Sequence, residues 1–280
     1  MRALVVGGTI AALAAVAVPA AAQVTVGWDA AVFSSYVWRG LTYTNKPVLE
    51  PDLYVTVPLG KASFTAGGWA NIDIAKYDGS TDLSESGGSS AFNVAEFDWW
   101  GEFGIPVGKA TLTAGATGYL FPNKASSCVV GPCYTKDINT TEVYGKVALD
   151  VPLSPKVSAY YDVDKVKGLY VEGSVSHGFP VGPKSLTLGA LAGWTGGQEV
   201  GSDKSANFAD KGLTHVDLSA SMAFSAGSLS ITPSIHGVIT ADDFTKVTKS
   251  NALDTGFKLW GGVTLSWSKA FGGKAEEESK

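Results

Sequence analysis

Pairs of acidic side chains stand two residues apart in this chain: Glu50 and Asp52, Glu96 and Asp98, Asp162 and Asp164. In an extended strand that spacing puts both carboxylates of a pair on one face. Asp29, Asp73, Glu102, Glu142, Asp150, Glu172 and Asp217 fall on the same polar face of their own segments, and the bases expected there are Arg39, Lys146 and Lys258. Carboxylates lining a narrow passage with low-dielectric walls attract cations and repel anions. The plainer alternative is that they pair with Arg39, Lys146 or neighbouring hydroxyls and fill an interior. Asp29, Arg39, Glu50, Asp52, Glu96, Asp98, Glu142, Tyr144, Lys146, Glu172, Asp217 and His236 form the expected lining. Within it, Arg39 is expected to be neutralised locally by Glu50 or Asp52, on the next strand along.

Other chemistry is poorly supported. His177 falls near a turn on the apolar face, where a lipid-modifying enzyme would place a base. No nucleophile-elbow sequence accompanies it, and Ser176 points the other way, so no catalysis is expected. His236 faces the polar side as a binding residue or filler. Cys128 and Cys133 are the two cysteines of the chain and share one loop. In an exported protein they are expected to form a disulfide that shapes that loop. Two thiols without a nearby histidine make a poor metal site. Asp162-Val163-Asp164 before Gly168 lacks the further oxygen ligands of a calcium loop. Neither a metal nor a cofactor is expected.

The elements that carry these residues are strands. From Val24 to Trp38 one face reads Val24, Val26, Trp28, Ala30, Val32, Ser34, Tyr36, Trp38, apolar at all but Ser34. A period of two means a β-strand. Strands of globular proteins run about 5–6 residues, whereas a tilted membrane-spanning strand needs roughly 9–11. Thirty-four glycines, eight tryptophans and ten tyrosines against two methionines fit strands with aromatic girdles.

Met1–Ala22 carries one base (Arg2), an apolar run, Pro19 and a closing Ala20-Ala21-Ala22, the pattern of a cleaved secretory signal. The run is too short for a membrane helix of about 20 residues. The formal charge is −5, and cleavage also removes Arg2. An acidic chain argues against nucleic acid.

Short turns alternate with mostly long loops. Val57-Pro58-Leu59-Gly60-Lys61, Ile105-Pro106-Val107-Gly108-Lys109, Val151–Lys156 and Phe179–Lys184 are proline-bearing turns, and Ser225–Ser228 is a fifth tight turn without proline. Ala75–Ser90, Pro122–Asn139, Thr195–Gly212 and Thr240–Gly256 are long and rich in Gly, Ser, Asn and Asp. That asymmetry belongs to up-and-down barrels, with turns in the periplasm and loops outside. The expected strands are 24–41, 47–57, 62–74, 91–105, 110–121, 140–151, 157–164, 169–179, 185–195, 213–225, 228–240 and 257–271. The expected organisation is a signal peptide (1–22), an all-β antiparallel transmembrane barrel of about 12 strands (23–271) and an acidic tail (272–280).

Val263, Leu265, Trp267 and Phe271 after Gly261-Gly262 resemble the C-terminal assembly signal of outer-membrane barrels, although the tail leaves it internal. Ser35-Tyr36-Val37-Trp38-Arg39-Gly40-Leu41, followed by Asn45-Lys46-Pro47-Val48-Leu49, resembles the opening of the TorF-family porins, also called the Gcw_chp family. Glu96-Phe97-Asp98 and Glu142-Val143-Tyr144 are similar too. Ser35 and Glu50 depart from the family pattern, which has an acid and an amide there. The resemblance implies a porin-like role and no known substrate.

These observations lead to the expectation of a porin-like channel in the outer membrane of a Gram-negative bacterium, passing small hydrophilic solutes with weak cation selectivity. Its partners would be outer-membrane lipid, lipopolysaccharide and the barrel-assembly machinery. The alternatives are a non-conducting structural or adhesive barrel, or a barrel lipid-modifying enzyme. A soluble sandwich is disfavoured, because such surfaces carry plentiful Lys and Glu. Here the polar face is rich in Gly, Ala, Ser and Thr.

Overall fold

Strand periodicity is satisfied by pairing each segment with its neighbour in sequence. The computed structural model describes residues 23–78, 82–123, 139–198, 208, 211–240 and 256–272. Its elements are β1 (Val24–Phe33), β2 (Tyr36–Trp38), β3 (Leu41–Thr44), β4 (Val48–Leu59), β5 (Ala62–Asp73), β6 (Asn93–Val107), β7 (Ala110–Leu120) and β8 (Thr140–Leu149). They continue as β9 (Lys156–Asp162), β10 (Gly168–Val181), β11 (Lys184–Gln198), β12 (Gly212–Met222), β13 (Phe224–Ala226), β14 (Leu229–Thr240) and β15 (Gly256–Phe271). Twelve of them make the wall, in the order β1, β4 through β12, β14, β15. β13 prolongs β12 along β14. All pairings are antiparallel, and β15 closes on β1 from Val24↔Phe271 to Phe33↔Gly262. Closure leaves no wall strand unpaired among the described residues, as a membrane-spanning sheet requires.

The two faces differ as the alternation demands. On β6, Phe97, Trp99 and Phe103 are exposed on the outside, while Glu96, Asp98 and Trp100 are buried inside. On β8, Val143 and Val147 face out, and Glu142 and Tyr144 face in. Exposed apolar side chains around the whole wall, among them Leu53, Leu112, Val175, Leu188, Leu218 and Leu259, make an apolar exterior.

The expected strands are present, with one instructive departure. The long first strand stops at Phe33 instead of running to residue 41. Ser34 is still tied to the wall: its N–H donates to the Gly261 carbonyl at 2.9 Å, and its Oγ accepts from the Gly261 N–H at 3.2 Å. The chain then turns inward as the small hairpin β2–β3. Tyr36 and Trp38, expected on the outer face, are therefore buried inside. The buried core is the barrel's own interior, where Trp38 and Leu41 of this hairpin cluster with Val48, Tyr119, Tyr160 and Tyr170. Full burial of Leu41 or Val48 stabilises the inward position by about 1.5–3 kcal/mol each.

Candidate functional site: the lumen and its arginine latch

A two-residue turn, Arg39-Gly40, joins Trp38 to Leu41. Its φ angles are +49° and +81°, the positive signs that a type I′ hairpin turn requires at both positions. Glycine at position 40 is also needed for space, since a Cβ there would meet the His215 side chain of β12 at 2.5 Å. The Gly40 carbonyl accepts a hydrogen bond from Thr240 Oγ1 of β14 at 2.8 Å. The tip is thus seated on one wall and aims Arg39 at another.

Arg39 reaches Glu142 on β8. Going round the barrel, β8 lies five strands from β1 in one direction and seven in the other, so this contact crosses the lumen. Nη1 donates to Oε1 at 2.8 Å and Nη2 to Oε2 at 2.7 Å, a bidentate pair with both side chains almost fully buried. Such paired, charge-assisted bonds are the strong and directional kind. The guanidinium also lies over three rings, with its Cζ 4.1 Å from the centroid of Tyr170, 4.3 Å from Trp38 and 5.1 Å from Tyr160. Tyr119 Oη donates to Glu142 Oε2 at 2.8 Å.

The other flank of the hairpin is held mainly by neutral donors. Tyr36 Oη donates to Glu96 Oε2 at 2.7 Å. The segment after β5 lies over the hairpin: Asn45 and Leu83 exchange two bonds, of 3.0 and 3.2 Å, and the Glu85 N–H donates to Thr44 Oγ1 at 3.2 Å. Tyr77 Oη donates to the Pro47 carbonyl, and Lys46 pairs with Asp82 at 3.0 Å. Glu85 accepts from Asn71 Nδ2 at 3.0 Å. Burial, with the Glu96 carboxylate nearby, pushes the Glu85 carboxyl well above the ordinary range.

The remaining expected residues sit as follows. Asp29 lies in register with Asp52 across β1 and β4. Asp52 accepts from Trp100 Nε1 at 3.3 Å. Glu50 and Asp98 are buried on β4 and β6. Lys146 pairs with Glu102 at 2.7 Å, and Tyr144 Oη donates to the same oxygen at 3.0 Å. Gly115, between their strands, makes this possible, because a Cβ there would meet the Tyr144 ring at 2.6 Å. Glu172 accepts from Tyr160 Oη at 3.4 Å. His236 contacts Asp217 at 3.1 Å and stacks on Trp260 at 4.2 Å.

Two expectations are corrected. Arg39 does not pair with Glu50 or Asp52, because the inward turn carries it across the lumen to Glu142. Glu142 consequently has a base, which its own and adjacent strands do not supply. Asp150 and Asp164 are exposed in turns and do not line the lumen. His177 packs edge-on against Phe179, with ring centroids 4.8 Å apart. Cys128 and Cys133 lie outside the described residues. Sequence reasoning missed Tyr36, Trp38 and His215 as interior residues. The available signal was the polar pair Ser34-Ser35, which interrupts the apolar face, followed by Arg39-Gly40 after Trp38.

The model of Gcw_chp, described as a bacterial protein of unknown function, matches residues 17–253. No curated protein sequence matches the chain. Among solved structures, the chain is similar to the COG4313 outer membrane channel from Pseudomonas putida F1, with a TM-score of 0.51 and 12% identity over 91% of this chain and 97% of that one. It is also similar to OmpT, an outer membrane protein of Vibrio cholerae, with a TM-score of 0.38 and 9% identity over 88% and 97%. The first likeness supports the barrel fold, and the second carries no further weight.

Proposed function

We propose a role from the barrel itself, because the chain belongs to the Gcw_chp family, a bacterial family of unknown function. The protein is a gated diffusion channel of the outer membrane for small hydrophilic solutes, and it is weakly cation-selective. One observation carries this reading: a closed wall with an apolar exterior surrounds an interior lined by carboxylates. A soluble protein would bury that exterior, whereas lipid solvates it. Twelve strands enclose more space than the filled eight-stranded barrels and less than the open 16-stranded porins. The inward acids Asp29, Glu50, Asp52, Glu96, Asp98, Glu172 and Asp217 exceed the bases on the same face, so the field in the lumen favours cations.

The hairpin makes the resting state narrow. It enters from the end of the barrel that carries the long loops, and the short proline turns lie at the opposite, periplasmic end. There Lys61, Lys109 and Lys184 reach head groups while their stems lie on apolar surface. The latch also gives a specific ground for a second reading, a barrel that is permanently closed and serves a structural role. Liposome swelling separates the two. Vesicles containing the refolded protein should swell in an isotonic small polyol faster than empty vesicles. Identical rates would favour the closed structural barrel.

A further inference from the structure

The Arg39 box has the chemistry of a receptor occupied by a piece of its own chain. Setting the hairpin aside, the wall supplies one residue from each of four consecutive strands: Tyr119 (β7), Glu142 (β8), Tyr160 (β9) and Tyr170 (β10). A carboxylate accepting two parallel N–H bonds, flanked by aromatic faces, recognises a planar organic cation. We propose that this box binds solutes bearing a guanidinium group, and that Arg39 is a tethered occupant which such a solute displaces. The proposal deepens the channel reading by naming a solute class, and it rests on that reading for its purpose.

Two features make displacement reasonable. First, the wall residues are held by contacts that do not involve Arg39. Tyr119 Oη fixes Glu142, Tyr160 packs on Tyr144 with centroids 5.5 Å apart, and Tyr170 stacks on Phe208 at 6.1 Å. The box therefore keeps its shape when the hairpin leaves. Second, Arg39 is an imperfect occupant. Its Nε and the neighbouring Trp38 Nε1 are buried and have no hydrogen-bond partner among the described residues. Its backbone takes a positive φ, which side chains other than glycine seldom adopt. A free guanidinium makes the same bidentate contact without either constraint. Displacement by the solute then releases the hairpin, so the permeant would open its own path.

Calorimetric titration of the refolded protein with methylguanidinium chloride, against sodium chloride as control, tests the assignment. The R39A variant should bind methylguanidinium saturably. Binding should weaken by at least about tenfold in the double variant R39A/E142Q, which loses the charge-assisted acceptor. The unmodified protein should bind at least about tenfold more weakly than R39A, because its own arginine competes. If R39A does not refold, as shown by loss of the heat-modifiable gel shift, R39Q takes its place with the same expectations. Absence of binding to the vacated box overturns the proposal. So does equal binding with and without E142Q, or unmodified protein that binds as tightly as R39A. Binding without any conductance would keep the site and overturn the channel reading alone.

Discussion

The two sides of the lumen hold the inserted hairpin by different means. On the β4–β6 side, a neutral phenol, Tyr36, donates to the buried carboxylate of Glu96, and the Asn71 amide donates to Glu85. On the β7–β10 side, a charged guanidinium is locked bidentately to Glu142 under three aromatic rings. Losing a neutral donor leaves a carboxylate that can take up a proton. Losing one member of the buried ion pair strands a full charge away from water. Breaking the first side should therefore loosen the hairpin less than breaking the second.

The largest expected effect follows from breaking the charged side. E142Q leaves the Arg39 guanidinium without its counter-charge, a change that costs about 3–5 kcal/mol when one partner of a buried pair is removed. Because β2 and β3 pair only with each other and not with the wall strands, the loss should appear locally. Hydrogen exchange should show residues 36–44 deprotected while β1 and β15 stay protected. Uniform loss of protection would mean that the hairpin and the wall are one cooperative unit.

A substitution on the same strand but on its other face sharpens the contrast. Val147→Arg puts a charge on the exposed apolar exterior of β8, at a cost of roughly 2–4 kcal/mol near the bilayer midplane. Ala148→Arg, one residue along and facing inward, should assemble far better, as read by the yield of folded protein in lipid. Equal yields would contradict the assigned faces.

The neutral side should give smaller effects. Tyr36→Phe removes one hydrogen bond to a carboxylate, worth about 1.5–3 kcal/mol. Its exchange protection should fall less than in E142Q, and a larger fall would reverse the ranking of the two sides. The same side should respond to pH. The Glu85 carboxyl is raised by burial, so the protonated form favours the seated segment. Seating is fullest below the ordinary carboxylate range and weakens as pH rises through the raised value. Protection around residues 82–88 should fall with rising pH, and Glu85→Gln should flatten that dependence. A pH dependence that survives the substitution would point to another group. The smallest effect belongs to Lys146→Met. Lys146 and Glu102 are both about a quarter exposed, so their ion pair is worth roughly 1 kcal/mol or less. Equilibrium urea unfolding should barely shift.

The wall was legible in the sequence because each strand carries its own evidence. Phe97, Trp99 and Phe103 alternate with Asp98, Trp100 and Glu102, so which residues face in or out does not depend on distant parts of the chain. Turns announced themselves through Pro58-Leu59-Gly60 and its relatives. The hairpin was not legible, for a related reason. Tyr36 and Trp38 continue the alternation of β1 beyond Ser34, and period alone cannot tell an outward aromatic from one folded inside. Only distant strands decide it, through Glu96, 60 residues from Tyr36, and Glu142, 103 residues from Arg39. The same reasoning applies to Ser86, in a segment read as an external loop but buried against Asp73. The Arg39 partner is invisible to strand adjacency, because the contact crosses the barrel.

In the proposed channel, a latched hairpin narrows an acid-lined lumen. Single-channel recording in a planar bilayer under a salt gradient tests it most directly, with the unmodified protein and E142Q compared side by side. The account predicts small or brief conductances for the unmodified protein and a larger conductance for E142Q. Both should show a cation-selective reversal potential that is strongest at low salt, where the screening length is about 30 Å at 0.01 M. Equal conductances, or an anion-selective reversal potential in the unmodified protein, would contradict it.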